Sequence, residues 1–273
     1  MSDRTLVVGT RGSALARWQA CHVIEQLQHV FPDLDIEIKE ITTKGDRVRD
    51  RALSQVGGKG LFVKEIEVAL CTGEIDLAVH SLKDVPTELP GGLALGAILE
   101  RADARDALVT RQGEHTLATV SPGAQIGTSS LRRRAQVLAA RPDLEVVDLR
   151  GNVDTRLRKL QAGACDAVVL AVAGLIRLGY RDRIDQCLPP EVMLPAPGQG
   201  ALCIEIREDD ALTRTTITPL DHWQTHLAAK AERALLRRME GGCRVPIGAY
   251  AEVAGEQIRV RGLVASPDGT RLI

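Results

Sequence analysis

The chain has 273 residues, with 35 basic and 36 acidic side chains and a formal net charge of −1. That balance excludes binding to nucleic acid or a membrane surface through bulk charge, and the length points to two or three domains. Hydrophobic residues make up 44%, yet only two Trp, two Tyr and two Phe are present. The cores must therefore be built from Leu, Val, Ile and Ala, which suits buried parallel strands covered by helices.

From the N-terminus, Leu6–Val8 reads as a strand. Ala14–Val30 reads as a helix with Ala20, Val23, Ile24, Leu27 and Val30 along one face. Ile36–Ile41 is a second strand, Val63–Leu70 a helix and Leu77–Val79 a strand. The βαβα rhythm predicts a parallel α/β sheet. It resumes with strands at Ala107–Val109 and Gln125–Gly127, a helix at Ser130–Ala140, a strand at Glu145–Leu149, a helix at Val153–Gln161 and a strand at Ala167–Ala171. Composition shifts near Glu100–Asp106 and again near Pro195–Gly200, so two similar α/β lobes with two crossings are expected. Asp221–Met239 reads as a long helix, followed by a hairpin of Ile247–Val253 and Gln257–Val264. The expected domains are residues 1–100 with 200–220, residues 105–195, and a small C-terminal domain over 221–273.

No segment reaches the roughly 18 apolar residues of a membrane span, and no signal-peptide apolar region follows the first residues, so a cytoplasmic protein is expected. The six cysteines are scattered without a CxxC pair, so neither a metal site nor a disulfide framework is expected.

In open α/β lobes, ligands bind beyond the carboxyl ends of strands, where helix N-termini point. Gly9-Thr10-Arg11-Gly12-Ser13 stands there, with Arg11 a candidate anion ligand and Ser13 a candidate helix cap. Gly127-Thr128-Ser129-Ser130 precedes Leu131-Arg132-Arg133-Arg134. Cations in the first turn of a helix oppose its dipole, a penalty that an anionic ligand would reverse. Arg150, Arg156 and Arg177 follow on the same lobe, which suggests a ligand with several carboxylates or phosphates. Only seven of the 35 basic residues are lysine; this excess of arginine fits either codon usage or planar recognition of oxyanions. Gly57-Gly58-Lys59-Gly60 lacks Walker spacing and reads as a mobile loop, with Phe62 just beyond it. Asp84, in His80-Ser81-Leu82-Lys83-Asp84-Val85-Pro86, follows a strand and is a candidate catalytic carboxylate or a plain turn residue. Cys243, after Gly241-Gly242 and beside Arg244, is a candidate activated thiolate.

Taken in order, Thr10–Ser13, Gly57–Phe62, His80–Pro86, Gly127–Arg133, Arg150–Arg156, Leu194–Ala201 and Gly241–Gly248 resemble the porphobilinogen deaminase family along essentially the whole chain. The resemblance implies two periplasmic-binding-protein-like lobes plus a small α/β domain. It implies a monomeric, cytoplasmic transferase of haem biosynthesis that condenses four porphobilinogens head-to-tail into hydroxymethylbilane with loss of ammonia. The dipyrromethane cofactor would hang on Cys243 by a thioether. Asp84 would be the catalytic carboxylate, buried near the pyrrole nitrogens and stabilising cationic intermediates. The resemblance further implies that Lys83, Thr128, Ser129, Ser130, Arg132, Arg133 and Arg150 contact the cofactor. Arg11, Ser13, Arg156, Arg177 and Gln199 would bind substrate, and Lys59 and Phe62 would belong to the mobile loop. The family continues beyond the stretch matching Ser266–Gly269 with a further strand and helix. The third domain is therefore expected to be incomplete and less stable than an extended form. The competing reading is a non-enzymatic solute-binding or effector-sensing module, which would need neither Asp84 nor Cys243.

Overall fold

The computed structural model describes residues 5–43, 45, 63–113, 115–239 and 245–273. Lys59, Phe62 and Cys243 lie outside the described residues. The chain forms two compact units, Met1–Arg101 with Ala201–Leu227, and Ala102–Gly200 with Ala228–Ile273.

In the first unit the apolar run after Thr5 forms β1 (Leu6–Thr10), and α1 (Ala14–Val30) follows. Ser13 caps that helix by accepting from the Ala16 N–H at 3.3 Å. Its inward face is Ala16, Gln19, Ala20, Val23 and Leu27, whereas Val30 is exposed. Next come β2 (Ile36–Glu40), α2 (Lys64–Cys71), β3 (Leu77–Ser81) and β4 (Leu93–Ile98). A later strand, β10 (Leu202–Arg207), completes a sheet of order β2-β1-β3-β10-β4. One face packs Leu6, Val8 and Leu77 against Val23 and Leu27 of α1. The other packs Ala78 against Ile66 and Leu70 of α2.

The second unit repeats the plan. Its strands are β5 (Asp106–Thr110), β6 (Gln125–Gly127), β7 (Glu145–Val147), β8 (Ala167–Ala171) and β9 (Gln186–Leu188), in the order β7-β6-β8-β5-β9. Helix α3 (Leu131–Ala140) contributes Val137 to the core on one face. Helices α4 (Val153–Gln161) and α5 (Val172–Arg177) contribute Leu157, Leu160 and Leu175 on the other.

Neither sheet is purely parallel, contrary to the expectation from the βαβα rhythm. β10 runs antiparallel to β3 and β4, and β5 antiparallel to β8 and β9. The local helical crossover that makes neighbouring strands parallel is missing at those pairs. In both sheets the antiparallel strand is the one that begins just after the chain passes from the other unit.

After β10 come α6 (Ala211–Ile217), α7 (Trp223–Arg238) and an antiparallel hairpin of β11 (Ile247–Ala254) and β12 (Gln257–Val264). The first residues of α7 belong to the first unit, so the C-terminal elements group with the second unit from Ala228 onward. The hairpin leans on the second unit through the Ala249 N–H, which donates to the Pro195 carbonyl at 3.0 Å. No described helix is long and apolar enough to cross a membrane.

Candidate active site

In the second unit, β6 ends at Gly127, where a Cβ would come within 2.8 Å of Leu149 and 2.9 Å of the Cys165 sulfur. The close packing turns the chain directly into Thr128-Ser129-Ser130. All three hydroxyls are engaged by the protein itself. Thr128 Oγ1 accepts from the Ser130 N–H at 3.2 Å, and Ser129 Oγ donates to the Leu149 carbonyl at 2.7 Å. Ser130 caps α3 by accepting from the Arg133 N–H.

The three arginines that follow separate. Arg134 is exposed and donates to the Val146 carbonyl at 3.2 Å. Arg132 and Arg133 turn inward and are buried. Arg132 Nη1 donates to Asp106 Oδ2 at 2.8 Å and to the Leu194 carbonyl at 2.6 Å. Arg133 donates to Asp106 Oδ1 through Nη2 at 2.7 Å and Nε at 3.1 Å. Burial alone would push the Asp106 carboxyl up, but the two guanidiniums overcome it and hold it well below the ordinary carboxylate range. The expectation that the first-turn arginines are balanced mainly by a ligand is thus corrected, because a protein carboxylate neutralises one charge of the pair. Sequence reading missed Asp106; the one signal was an acidic residue opening an otherwise apolar strand.

The remaining arginines differ in how far the protein uses them. Arg150, half-buried after β7, has no hydrogen bond or ion pair from its guanidinium to a described residue. Arg132 likewise has none from its Nε or Nη2. Arg156 Nε donates to the Gly151 carbonyl at 2.8 Å. Arg177 Nη2 donates to the Gly200 carbonyl at 2.8 Å, and burial pushes its pKa down to about 10, so it stays charged at neutral pH. Gly200 must be glycine, since its φ is +91° and a Cβ would come within 2.5 Å of the Ala102 carbonyl. Gln199 is 1% exposed. Its amide nitrogen donates to the Ala104 carbonyl at 2.7 Å and to Asp106 Oδ1 at 2.9 Å. As folded here it supports the arginine pair from behind and is not open to a ligand.

In the first unit, β3 runs into a short 3₁₀ turn, Leu82–Asp84. Leu82 and Val85 point into the core and leave Lys83 and Asp84 exposed. This corrects the expectation of a buried Asp84: the inward alternation of its neighbours fixes its carboxylate on the outside of the turn. The strand beneath is anchored by a buried pair, His80 Nε2 to Glu205 Oε2 at 2.9 Å, which joins β3 to β10. Ser13 serves as the cap of α1, and Arg11, half-buried, stands two residues before it. No cluster of His, Cys, Asp or Glu among the described residues could hold a metal ion.

The sequence comparisons point one way. Residues 6–215 match the family model described as porphobilinogen deaminase, dipyromethane cofactor binding domain. Residues 226–273 match porphobilinogen deaminase, C-terminal domain. The porphobilinogen deaminase of Geobacter metallireducens is 54% identical over all of this chain and 85% of its own length. That of Geobacillus kaustophilus is 54% identical over 98% of this chain and 87% of its own. Among solved structures, a TRAP periplasmic solute binding protein from Desulfovibrio salexigens is similar with a TM-score of 0.46 and 11% identity, over 87% of this chain and 78% of that one.

Proposed function

The chain belongs to the porphobilinogen deaminase family, and from that premise we propose which of its residues carry the chemistry. The reaction condenses four porphobilinogens head-to-tail into hydroxymethylbilane and releases ammonia, with dipyrromethane as cofactor. When bound, dipyrromethane supplies the pyrrole carbon on which the product grows.

Loss of ammonia from porphobilinogen leaves an electron-poor, positively charged carbon. Asp84, outside its turn at the end of β3, offers a fixed negative charge to that cation and an acceptor for the proton released after each condensation. Each pyrrole ring brings two carboxylates. Arg150 and the Nε and Nη2 of Arg132, which the described protein leaves unengaged, fit such a group, since bidentate carboxylate binding is what a guanidinium fork does best. That observation carries the reading. Arg133, Arg156 and Arg177 add positive charge on the same unit, and Arg11 is a further candidate carboxylate ligand on the first unit. Lys83, beside Asp84, is a further carboxylate ligand. Ser129, whose hydroxyl donates to the Leu149 carbonyl, keeps lone pairs for a pyrrole N–H, while Thr128 and Ser130, which accept from backbone N–H groups, orient the start of α3 and keep an O–H to donate to a carboxylate. Ser13 does the same at α1.

Cys243 is the proposed thioether attachment point, in a monomeric, cytoplasmic enzyme. Its position next to Arg244 favours the thiolate needed to attack an electron-poor carbon. A thioether survives reduction, so protein made in a cell that supplies porphobilinogen should be heavier than its sequence by one dipyrromethane after reduction and denaturation. Peptide mapping should place the addition on Cys243, and Cys243→Ser should lack it. An unmodified mass in folded, active wild-type protein would refute the covalent attachment.

A further inference from the structure

Three residues expected at the binding site meet on one carboxylate. Asp106 Oδ2 accepts from Arg132, while Oδ1 accepts from Arg133 and from Gln199 Nε2. Asp106 opens β5, where its register against Ala171 and Leu188 fixes its place in the sheet. Gly198, the residue before Gln199, donates its backbone N–H to Glu232 Oε2 at 2.7 Å. The other oxygen of Glu232 accepts from the Ala251 N–H, also at 2.7 Å. Glu232 lies on α7 and Ala251 on β11, the two elements that flank Cys243 in the sequence.

Asp106 and Glu232 are both 0% exposed. A buried carboxylate is costly unless its oxygens are bonded, and here both oxygens of each acid are. A core of Leu and Val would not need either acid. What the two acids accomplish is alignment. A continuous buried string runs from Arg132 and Arg133 through Asp106, Gln199, Gly198 and Glu232 to Ala251. At one end it consumes Arg132 Nη1 on Asp106 and the Leu194 carbonyl, which leaves the Nε–Nη2 edge of that fork for an incoming oxyanion. It also reduces two adjacent positive charges to a net of one, suited to a single carboxylate. At the other end it ties down both elements that flank Cys243.

We propose that Asp106 and Glu232 are positioning residues for the covalent cofactor, holding the arginine fork and the elements that flank Cys243 in register. The proposal rests on Cys243 as the attachment point. Neither acid touches the reacting atoms; both act through the groups they hold.

The test uses the full chain with Asp106→Asn, Glu232→Gln and the double variant. Two quantities are read: the rate at which unloaded protein gains the cofactor mass on addition of porphobilinogen, and the thermal unfolding midpoint. Each single variant should remain folded and load at least tenfold more slowly than wild type. Because both cut the same string, the double variant should be no more than about threefold slower than the slower single variant, whereas independent sites would multiply. Folded single variants that load within threefold of wild type overturn the proposal, and so does a double variant whose two effects multiply. Should Asp106→Asn fail to fold, Gln199→Leu cuts the string between the two acids without leaving a charge unpaired, and the same criteria apply. Wild-type protein that gains no mass refutes the attachment at Cys243 instead. The positioning role is then read from the KM for porphobilinogen: a change below twofold in both single variants overturns it, and a larger rise in both upholds it.

Discussion

Asp84→Asn should lower turnover by roughly 10²–10³-fold while leaving fold and cofactor content intact, since a fixed charge aimed at a developing ion is worth about 3–4 kcal/mol. The substitution keeps the shape of the side chain and removes only its charge. Asp84 sits outside its 3₁₀ turn, with Leu82 and Val85 holding the turn to the core, so the variant disturbs no packing. Glu88→Gln, an exposed acid on the same segment, is the matched control and should stay within twofold of wild type. Steady-state turnover and intact mass, measured on the same preparations, decide the matter. If Asp84→Asn retains more than half of wild-type turnover, the carboxylate has no electrostatic role.

Arg132→Leu and Arg150→Leu should separate stability from binding. Arg132 is buried against Asp106, and removing one partner of a buried pair typically costs about 3–5 kcal/mol. Arg150 has no such partner among the described residues, so its replacement should change stability by no more than about 0.5 kcal/mol and instead slow cofactor loading. Urea unfolding of both variants measures the first effect, and cofactor mass the second. The Asp106 pair also has a pH signature. Its folded pKa lies below the unfolded value, so its contribution is fully present above the ordinary carboxylate pKa near 4. It is lost as the pH falls from there toward the depressed folded value. Arg132→Leu weakens that depression, so wild type and variant should converge in stability as the medium is acidified through that range. Equal stability losses for the two arginine variants at neutral pH would contradict the distinction drawn between them.

Much of this was legible in the sequence because apolar periodicity reports burial directly. The helix at Ala14–Val30, the helix at Val153–Gln161, the strand at Ala167–Ala171 and the C-terminal hairpin form where the pattern puts them, to within a residue. What the pattern hides has identifiable causes. β10, Leu202–Arg207, carries Glu205 at its centre, fully buried against His80, and a buried acidic residue breaks the apolar signature of a core strand. In β4, Gly96 stands where a Cβ would meet Ile217 and Ile206 within 3 Å, so close packing appears in the sequence as a turn-forming residue. Helix α5, only six residues long, continues the apolar run of β8 without a break. Helix α6 holds three threonines, poor helix formers; its cap, Asp210 accepting from the Thr213 N–H at 3.0 Å, was the available signal.

The site divides along the same line. Motifs single out Asp84, Arg150 and the Thr128–Arg133 segment as candidates because they follow strands, which is where α/β lobes place ligands. No motif shows that Arg132, Arg133 and Gln199 share Asp106, for that depends on a strand register far away in the chain. Gln199 therefore looks like a ligand contact in the sequence and proves to be a support in the fold.

We propose that product grows on this chain, one pyrrole at a time, from a cofactor at Cys243. Mass spectrometry of the denatured, reduced wild-type protein after exposure to limiting porphobilinogen tests it most directly. Discrete species above the cofactor-loaded mass, evenly spaced by one pyrrole unit, are expected, with every addition on the peptide containing Cys243. A single unchanged mass, while porphobilinogen is consumed and hydroxymethylbilane appears, would contradict it.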